Sequence, residues 1–190
     1  MNAVDEILAL YAQRGSEAYF GECVSVREHG LQAAHFAEAA GAAPALVIAA
    51  LLHDVGHLIE NVAPDIEDWT EDAGHERVGG RWLAARFPPQ VFEPVRLHVP
   101  AKRYLLAADP DYFAKLSAAS IVTLKLQGGP MSPEEAARFE TERFYREAVL
   151  VRRCDDQGKV AALRTRSMAD YGDMIRELAS SAGAAAPRLL

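Results

Sequence analysis

The stretch Ala49-Ala-Leu-Leu-His53-Asp54-Val-Gly-His57 decides how this chain folds. Residues 45–52 are almost wholly apolar, which predicts a buried helix that ends at the His53-Asp54 pair. Because an unpaired carboxylate is costly to bury, a metal ion is the simplest partner for Asp54. His57 lies one helical turn beyond His53, on nearly the same face. The alternative is a solvated helix end that carries a chance His-Asp pair.

The composition is typical of a globular protein and not of a nucleic-acid binder. The 190 residues are 50% hydrophobic and 25% charged, with a formal net charge of −7. This charge disfavours binding to a phosphate backbone but permits a basic pocket for one small anion. The cysteines, Cys23 and Cys154, lack the spacing of a metal site and fit a reducing compartment. Without a signal peptide or a membrane-spanning run, the chain is expected to be cytoplasmic, with no membrane partner.

Helical periodicity runs through the chain, with no strand alternation, internal repeat or domain linker. Ser25 with Glu28 predicts a capping box at one helix start, and Ser132 with Glu135 predicts another. Pro100 predicts the end of the helix before it. The predicted helices span residues 3–13, 25–40, 44–52, 71–87, 91–99, 109–127, 132 onward, 145–156 and 168–178. The fold class is therefore all-α, a compact bundle of roughly eight helices built as stacked pairs.

The length favours one domain, which we expect over residues 1–180. Residues 181–190 are rich in alanine and are expected to form a frayed tail. The polar segment 60–68 is expected to be a loop over the site or a solvated insertion.

Five of the six histidines lie near apolar runs on different predicted helices or helix ends. They are His29, His53, His57, His75 and His98. Metal sites in helical bundles are built from inward-facing side chains of this kind. One such histidine is more often a hydrogen-bonded core residue, but five, with an aspartate beside one of them, favour a metal site. His35 is six residues from His29, about 240° around a helix, so we assign it no role in the site.

Two basic residues lie close in sequence to candidate ligands, in one case to Asp155, an aspartate that the family resemblance given below implies as a ligand. Lys102 follows His98 by about one helical turn, and Arg152 precedes Asp155 by three residues. Lysine and arginine bind phosphate and phosphonate groups well. The alternative is that these cations are solvated or interact with helix ends. Hydroxyl groups at Ser120 and Thr123 share a helix face and would add neutral donors, although small hydroxyls also fill helix contacts.

The pattern His29, His53-Asp54, His75, His98 and Asp155 resembles the HD-domain superfamily, which is an all-helical fold. The loop from Tyr19 to Glu22, seven residues before His29, is similar to a narrower group within it. That group is the mixed-valent di-iron oxygenases of the phosphonate-degrading type, which are related to myo-inositol oxygenase. The resemblance runs from about Tyr19 to Asp155, most of the chain.

The resemblance implies a role for each matching residue. Asp54 would bridge two iron ions, Fe(II) and Fe(III), with O2 as co-substrate. The remaining metal ligands would be His29, His53 and Asp155 on one iron and His75 and His98 on the other. The phosphonate pocket would be lined by His57, Lys102, Ser120, Thr123 and Arg152, with Tyr19 and Glu22 as a gating element. From ligand type alone, zinc, manganese and cobalt remain alternatives to iron.

The implied activity is oxidative cleavage of a carbon–phosphorus bond in a small organophosphonate. The substrate would be a 1-hydroxy-2-(amino or trimethylammonio)ethylphosphonate, giving phosphate and glycine or glycine betaine. The sequence leaves open which nitrogen group is preferred, and leaves the oligomeric state open. The first alternative is a metal-dependent phosphohydrolase of nucleotides on the same fold, because fold does not settle function. The second is a non-catalytic helical signalling module, which would bind no metal.

Overall fold

The chain folds into α-helices joined by turns and short loops. The computed structural model describes residues 2–59 and 74–184. Within these ranges there is no strand, only an isolated antiparallel bridge between Ala18 and Ser25. The described helices are α1 (Ala3–Arg14), α2 (Val26–Ala39), α3 (Pro44–Leu52), α4 (Val55–Ile59), α5 (His75–Ala84), α6 (Pro89–Ala108), α7 (Ala118–Leu126), α8 (Pro133–Phe139), α9 (Tyr145–Gln157) and α10 (Gly172–Ala184). The all-α fold class is confirmed, with ten α-helices in this part of the chain where roughly eight were predicted.

Helix α3 lies at the centre of the fold. Its residues from Ile48 to Leu52 have no exposed surface. It contacts α2, α6 and α9, and α9 in turn contacts α2 and α6, so these four helices enclose a common core. Helix α5 packs between α4 and α6, while α1 and α10 pack together. The predicted buried helix over residues 45–52 is therefore confirmed.

Side-chain caps fix two helix starts where the sequence predicts them. Ser25 accepts a hydrogen bond from the Glu28 backbone, and the Glu28 carboxylate accepts one from the Ser25 backbone at 2.8 Å. Ser132 and Glu135 form the same capping box at the start of α8. Both predictions are confirmed.

The prediction that a helix ends before Pro100 is wrong. Helix α6 runs without interruption from Pro89 to Ala108, through Pro94 and Pro100. A proline inside a helix costs about 3 kcal/mol, but α6 buries nine residues against its neighbours, which outweighs that local preference. The continuous helix places His98 and Lys102 one turn apart, and both are buried.

The single helix predicted over residues 109–127 is also wrong. A short 3-10 turn, Phe113–Lys115, is followed by extended backbone at Leu116. Helix α7 then begins after Ser117, whose side chain accepts a hydrogen bond from the Ser120 backbone. This cap starts a new helix at α7.

Several predictions fall partly on residues that the structure does not describe. The polar segment 60–68 and residues 71–73 of one predicted helix lie outside the described residues, and the described part of that helix is α5. Helix α10 follows a 3-10 turn at Met168–Tyr171 and continues to Ala184, beyond the predicted end at residue 178. The domain boundary at 180 and the frayed tail stay predictions. None of the described helices has the length and apolar character needed to cross a membrane.

Two glycines let helices approach closely. A methyl group on Gly30 of α2 would lie 2.6 Å from the Leu51 carbonyl oxygen of α3. One on Gly56 of α4 would lie 2.0 Å from the carbonyl oxygen of His75. Both contacts are shorter than a carbon and an oxygen can tolerate, so only glycine fits at these positions. The contacts bring α2 against α3 and the start of α5 against α4.

Replacing Gly56→Ala should destabilise the protein, because the methyl group would push the start of α5 away from α4. We expect a loss of about 2 kcal/mol in the free energy of unfolding, which lowers Tm by roughly 4–8 °C for a chain of this size. Gly172→Ala is the control, since its methyl group would meet Val4 at an ordinary 3.8 Å. Thermal unfolding of both metal-free variants checks this, and equal Tm values would contradict it.

Candidate metal centre

The end of α3 delivers a histidine and a carboxylate to the interior. His53 caps α3 with helical backbone angles, and Asp54 follows before α4 begins at Val55. His53 has no exposed surface and Asp54 is 4% exposed. A carboxylate buried this deeply needs charged or hydrogen-bonding partners. The structure supplies them from four other helices.

The first cluster surrounds one oxygen of Asp54. The Nε2 atoms of His29 and His53 lie 3.1 Å apart, and they are 3.6 Å and 3.4 Å from Asp54 Oδ2. Asp155 of α9 completes the group, with Oδ1 3.3 Å from His29 Nε2 and Oδ2 3.8 Å from His53 Nε2. Three helix regions that are distant in sequence therefore converge on one point.

The second cluster surrounds the other oxygen of Asp54. The Nε2 atoms of His75 and His98 lie 3.1 Å apart, and they are 3.2 Å and 3.6 Å from Asp54 Oδ1. The two triads, His29-His53-Asp54 and Asp54-His75-His98, each have the geometry to hold a metal ion. Asp54 belongs to both, and each of its oxygens faces a different pair of imidazoles. With this arrangement Asp54 would be able to serve two ions, one at each oxygen.

Hydrogen bonds at Nδ1 determine which nitrogen of three of these imidazoles is available to bind a metal ion. The Nδ1 atoms of His29, His53 and His98 lie 2.7–2.9 Å from the backbone carbonyls of Gly158, Ala50 and Val95. A carbonyl only accepts, so each Nδ1 carries a proton and Nε2 is the nitrogen that can bind a metal ion. The Nε2 atoms of each pair lie 3.1 Å apart, close to the separation of two imidazole donors that each lie about 2.1 Å from one ion.

The charge states also suit a metal. Burial alone would raise the pKa of Asp54, but His53 and the neighbouring imidazoles hold that pKa well below its usual value. Burial also opposes the charge on Asp155, while the Arg152 guanidinium holds its pKa well below normal. Burial lowers the pKa of His98 to about 3, so this ring is neutral. Burial opposes a charge on His53, but Asp54 and Asp155 raise its pKa to about 9, so a metal ion would have to displace a proton from this ring. Ionised carboxylates and deprotonated imidazole nitrogens are the states that metal ligands need.

One carboxylate oxygen of Asp155 has no hydrogen-bond partner among the residues that the structure describes. Oδ2 pairs with Arg152 Nη1 at 2.6 Å. Oδ1 is buried and lies 3.3 Å from His29 Nε2. An unsatisfied buried carboxylate oxygen is costly, and a bound cation would compensate it. The residues present therefore fit a metal ion.

The structure also places the remaining two histidines. His57 stacks on His75 with ring centroids 3.9 Å apart and lines the cleft beside the second cluster. Burial holds the pKa of His57 well below its usual value, and His75 adds to this effect. His35 is half-buried against Phe36 and lies outside the clusters, as expected. The structure thus brings the six predicted ligands together, while their role as ligands stays a prediction.

The predicted anion-binding residues lie in the same cleft. Lys102 is 1% exposed and donates to Thr123 Oγ1 at 2.8 Å. Arg152 Nη2 lies 3.4 Å from Ser120 Oγ, while its guanidinium also pairs with Asp155 and Asp156. Burial, together with the charge of Arg152, lowers the pKa of Lys102 to about 7.

Lys159 is a cleft residue that the sequence did not single out. Its Nζ donates to Ser120 Oγ at 3.0 Å and to Ser117 Oγ at 3.2 Å. It lies in the loop after α9, where helical periodicity gives no information. Its position four residues after Asp155 was the only available signal.

The loop between α1 and α2 covers the first cluster. Tyr19 donates a hydrogen bond to Asp54 Oδ2 at 2.7 Å, and its ring stacks on His29 at 3.9 Å. Phe20 and Gly21 both have positive φ, 41° and 79°, so the chain turns sharply here. The turn directs Phe20 against His57 and places Glu22 in the cleft. Tyr19 therefore occupies the approach to the bridging carboxylate.

Metal binding should stabilise the protein and depend on Asp54. Adding a divalent ion to metal-free protein at about 100 times Kd should contribute about 2.7 kcal/mol and raise Tm by roughly 5–11 °C. Asp54→Ala should abolish metal uptake, and His98→Ala should lose only the second ion. His35→Ala, outside the clusters, should keep both. Elemental analysis and thermal unfolding measure this, and a fully loaded Asp54→Ala protein would refute the shared carboxylate.

Comparison with known proteins places the chain in a family. The family model described as HD domain matches residues 26–156. A [1-hydroxy-2-(trimethylamino)ethyl]phosphonate dioxygenase (glycine-betaine-forming) from Leisingera caerulea is 42% identical over 177 residues, 93% of this chain and 90% of that protein. A hydroxymethylphosphonate dioxygenase from Gimesia maris is 43% identical over 160 residues, 84% of this chain and 80% of that protein.

An uncharacterized protein of Acanthamoeba polyphaga mimivirus is 34% identical over 184 residues, covering 93% of this chain and 82% of the viral protein. The predicted resemblance to HD-domain proteins and to phosphonate-degrading oxygenases is confirmed by these matches. The chain therefore belongs to the HD-domain family, and its relatives within that family include phosphonate dioxygenases.

Proposed function

We propose that this protein is a dioxygenase that uses two metal ions to cleave the carbon–phosphorus bond of a small 1-hydroxyphosphonate. One observation carries the proposal: the Asp54 carboxylate joins two metal-binding triads at the wall of a cleft that also holds buried basic side chains. The similarity to two phosphonate dioxygenases supports the same activity. The density of buried ionisable groups disfavours a non-catalytic signalling module.

The metal we propose is iron, held by His29, His53, Asp54 and Asp155 in the first cluster and by Asp54, His75 and His98 in the second. Imidazole and carboxylate donors suit iron, and the same donors also bind zinc or manganese. Bound iron would supply the one-electron chemistry that the reaction of O2 with a carbon–hydrogen bond requires. The protein's own contribution is to place the substrate and to control access to the ions.

The substrate class follows from the chemistry of phosphonates. Attack of water at phosphorus would expel a carbanion, so hydrolysis is unfavourable, whereas oxidation at the hydroxyl-bearing carbon gives phosphate a route to leave. One hydroxyphosphonate and one O2 give one carboxylate and one phosphate, which balances all atoms. A 1-hydroxy-2-aminoethylphosphonate would give glycine, and its trimethylammonio analogue would give glycine betaine.

Buried cations and hydroxyls of the cleft would hold the phosphonate group. Arg152 provides charge, and Lys102 does so once an anionic phosphonate beside it favours its protonated form. Ser120 and Thr123 provide hydroxyl groups already aligned with these two side chains at 2.8–3.4 Å. In so dry an environment a charged hydrogen bond to a phosphonate oxygen is strong. His57 is neutral and lines the cleft next to the second cluster, so it would meet the substrate as a hydrogen-bonding group.

Tyr19 and Glu22 would act as the gating element. The Tyr19 hydroxyl occupies Asp54 Oδ2, the oxygen that faces the first cluster. Burial and the nearby Asp54 charge raise the pKa of Tyr19 well above its usual value, so it stays a neutral donor. Substrate or O2 can reach this side of the centre only when the Tyr19 ring moves away.

The decisive experiment is anaerobic loading with iron, followed by addition of O2 and a hydroxyphosphonate. We expect O2 uptake, phosphate release and the matching carboxylate in equal amounts. A nucleotide phosphohydrolase, the first alternative, would release phosphate from nucleotides without O2 and with zinc or manganese as well as iron. Phosphate release that is independent of O2 would therefore overturn the proposal. The similarity to two dioxygenases favours the oxygenase.

Replacing Lys102→Gln should weaken substrate binding while leaving metal content unchanged. A lost charge-assisted hydrogen bond is worth about 1.5–3 kcal/mol, which raises KM roughly 10- to 150-fold. Lys125→Gln, an exposed lysine on α7, is the matched control and should behave as wild type. Steady-state kinetics and iron analysis separate the two effects. Loss of iron with an unchanged KM would remove Lys102 from the pocket.

A further inference from the structure

One of the four imidazoles around the shared carboxylate is held differently from the other three. The rings of His29, His53 and His98 each direct Nδ1 to a backbone carbonyl at 2.7–2.9 Å. Among the described residues no carbonyl accepts a hydrogen bond from Nδ1 of His75, and the oxygen Oε2 of Glu76 lies 3.8 Å from that nitrogen. The His75 ring therefore lacks the backbone contact that orients the other rings.

Glu76 is a buried carboxylate whose hydrogen bonds are incomplete. It lies in the first turn of α5 and is 4% exposed. Its Oε2 atom is buried and accepts no hydrogen bond from any described residue. Arg77 Nη1 lies 3.9 Å from Oε1, but the Arg77 side chain is 67% exposed, so solvent weakens this pair. A buried carboxylate oxygen in this state gains free energy when a donor approaches it.

Other contacts fix the rest of His75 and leave its Nδ1 edge beside this carboxylate. Its Nε2 atom lies 3.2 Å from Asp54 Oδ1, and its ring stacks on His57 with centroids 3.9 Å apart. Its backbone packs on Gly56, where a methyl group would lie 2.0 Å from the His75 carbonyl oxygen. Nδ1 is thus the polar atom of this ring that has no hydrogen-bond partner among the described residues, and Glu76 is beside it.

The negative charge available to the two proposed ions is unequal. The first cluster contains two carboxylates, Asp54 and Asp155. Among the described residues, the second cluster contains the shared carboxylate and the imidazoles of His75 and His98. A buried cation is stabilised strongly by a nearby anion, because the interior screens charge poorly. Glu76 supplies a further carboxylate on the side of the second cluster.

We propose that Glu76 is a positioning residue of the second metal site, which accepts a hydrogen bond from Nδ1 of His75 when Nε2 of the same ring binds an ion. The contact would have to shorten by about 1 Å to reach the usual length of such a bond. A carboxylate that accepts from a metal-binding imidazole fixes the orientation of the ring and makes its other nitrogen a stronger ligand. The inference rests on the proposed metal centre and concerns the second ion alone.

Stepwise zinc binding tests this role without turnover. Zinc is titrated into metal-free protein, and calorimetry gives a Kd for each of the two ions. Glu76→Gln keeps a hydrogen-bond acceptor but loses the charge, and Glu76→Met loses both. We expect the Kd of the second ion to rise roughly 10- to 100-fold, with the larger rise in Glu76→Met. The Kd of the first ion should stay at the wild-type value.

NMR of the zinc-loaded protein, with isotope-labelled histidine, reports on the hydrogen bond itself. A hydrogen bond to a carboxylate is stronger than one to a neutral acceptor. The Nδ1 proton of His75 should therefore resonate downfield in wild type and move upfield in Glu76→Gln. The Nδ1 protons of the three rings that bind backbone carbonyls should not move. A loss of packing alone would not produce this selective shift.

The stability of the metal-free protein separates positioning from packing. Without an ion, Glu76 is a buried charge whose hydrogen bonds are incomplete, so Glu76→Gln should keep or raise the metal-free Tm. The rise in Tm on adding zinc should be smaller than in wild type, because the second ion binds less tightly. Glu177→Gln, an exposed glutamate on α10, is the matched control and should behave as wild type in Tm and in both Kd values.

Two results would overturn the role of Glu76. One is an unchanged Kd of the second ion in both variants, and the other is an equal weakening of both ions together with a lower metal-free Tm. These results differ from a failure of the proposed metal centre. If wild-type protein binds fewer than two zinc ions, the centre itself is wrong and the inference is refuted with it. If wild type binds two ions and Glu76→Met binds them equally well, only the role of Glu76 fails.

Discussion

The structure depends on one carboxylate that the fold forces into its interior. Asp54 follows a helix whose residues from Ile48 to Leu52 have no exposed surface, and its own side chain is almost completely buried. Each oxygen instead faces a different pair of imidazoles, and the Tyr19 hydroxyl binds one of them. Removing the four histidines would leave a buried anion without compensation. The central helix therefore depends on the imidazoles that surround its end.

The surrounding helices serve this arrangement in specific ways. Gly30 lets α2 come close enough to α3 for His29 to reach His53, and Gly56 does the same for α4 and the start of α5. Helix α6 stays intact through two prolines, so His98 and the lysine of the anion pocket share one rigid support. Packing thus fixes the positions of groups that local sequence preference alone would have left on separate segments.

Much of the site could be predicted from the sequence because buried helices leave a clear signal. A histidine or aspartate within an apolar run, as at His53 and Asp54, has to be explained by a partner. The local rule that proline ends a helix failed at Pro100, because tertiary packing outweighed it. Sequence periodicity could not identify Lys159, because this residue lies in a loop. Asp155 and Tyr19 were identified only through family resemblance, because nothing in their spacing marks them.

The peptide that carries Lys159 is attached to the helix that carries His29. His29 Nδ1 bonds to the Gly158 carbonyl, and the Gln32 side-chain amide both donates to and accepts from the backbone of Val160. A methyl group at residue 158 would lie 3.1 Å from His29 Nδ1, so Gly158 and the His29 ring are tightly packed. The position of the lysine beside α7 therefore depends on the same imidazole that faces the shared carboxylate. A substitution that shifts the His29 ring should also displace the cation at the far end of this peptide.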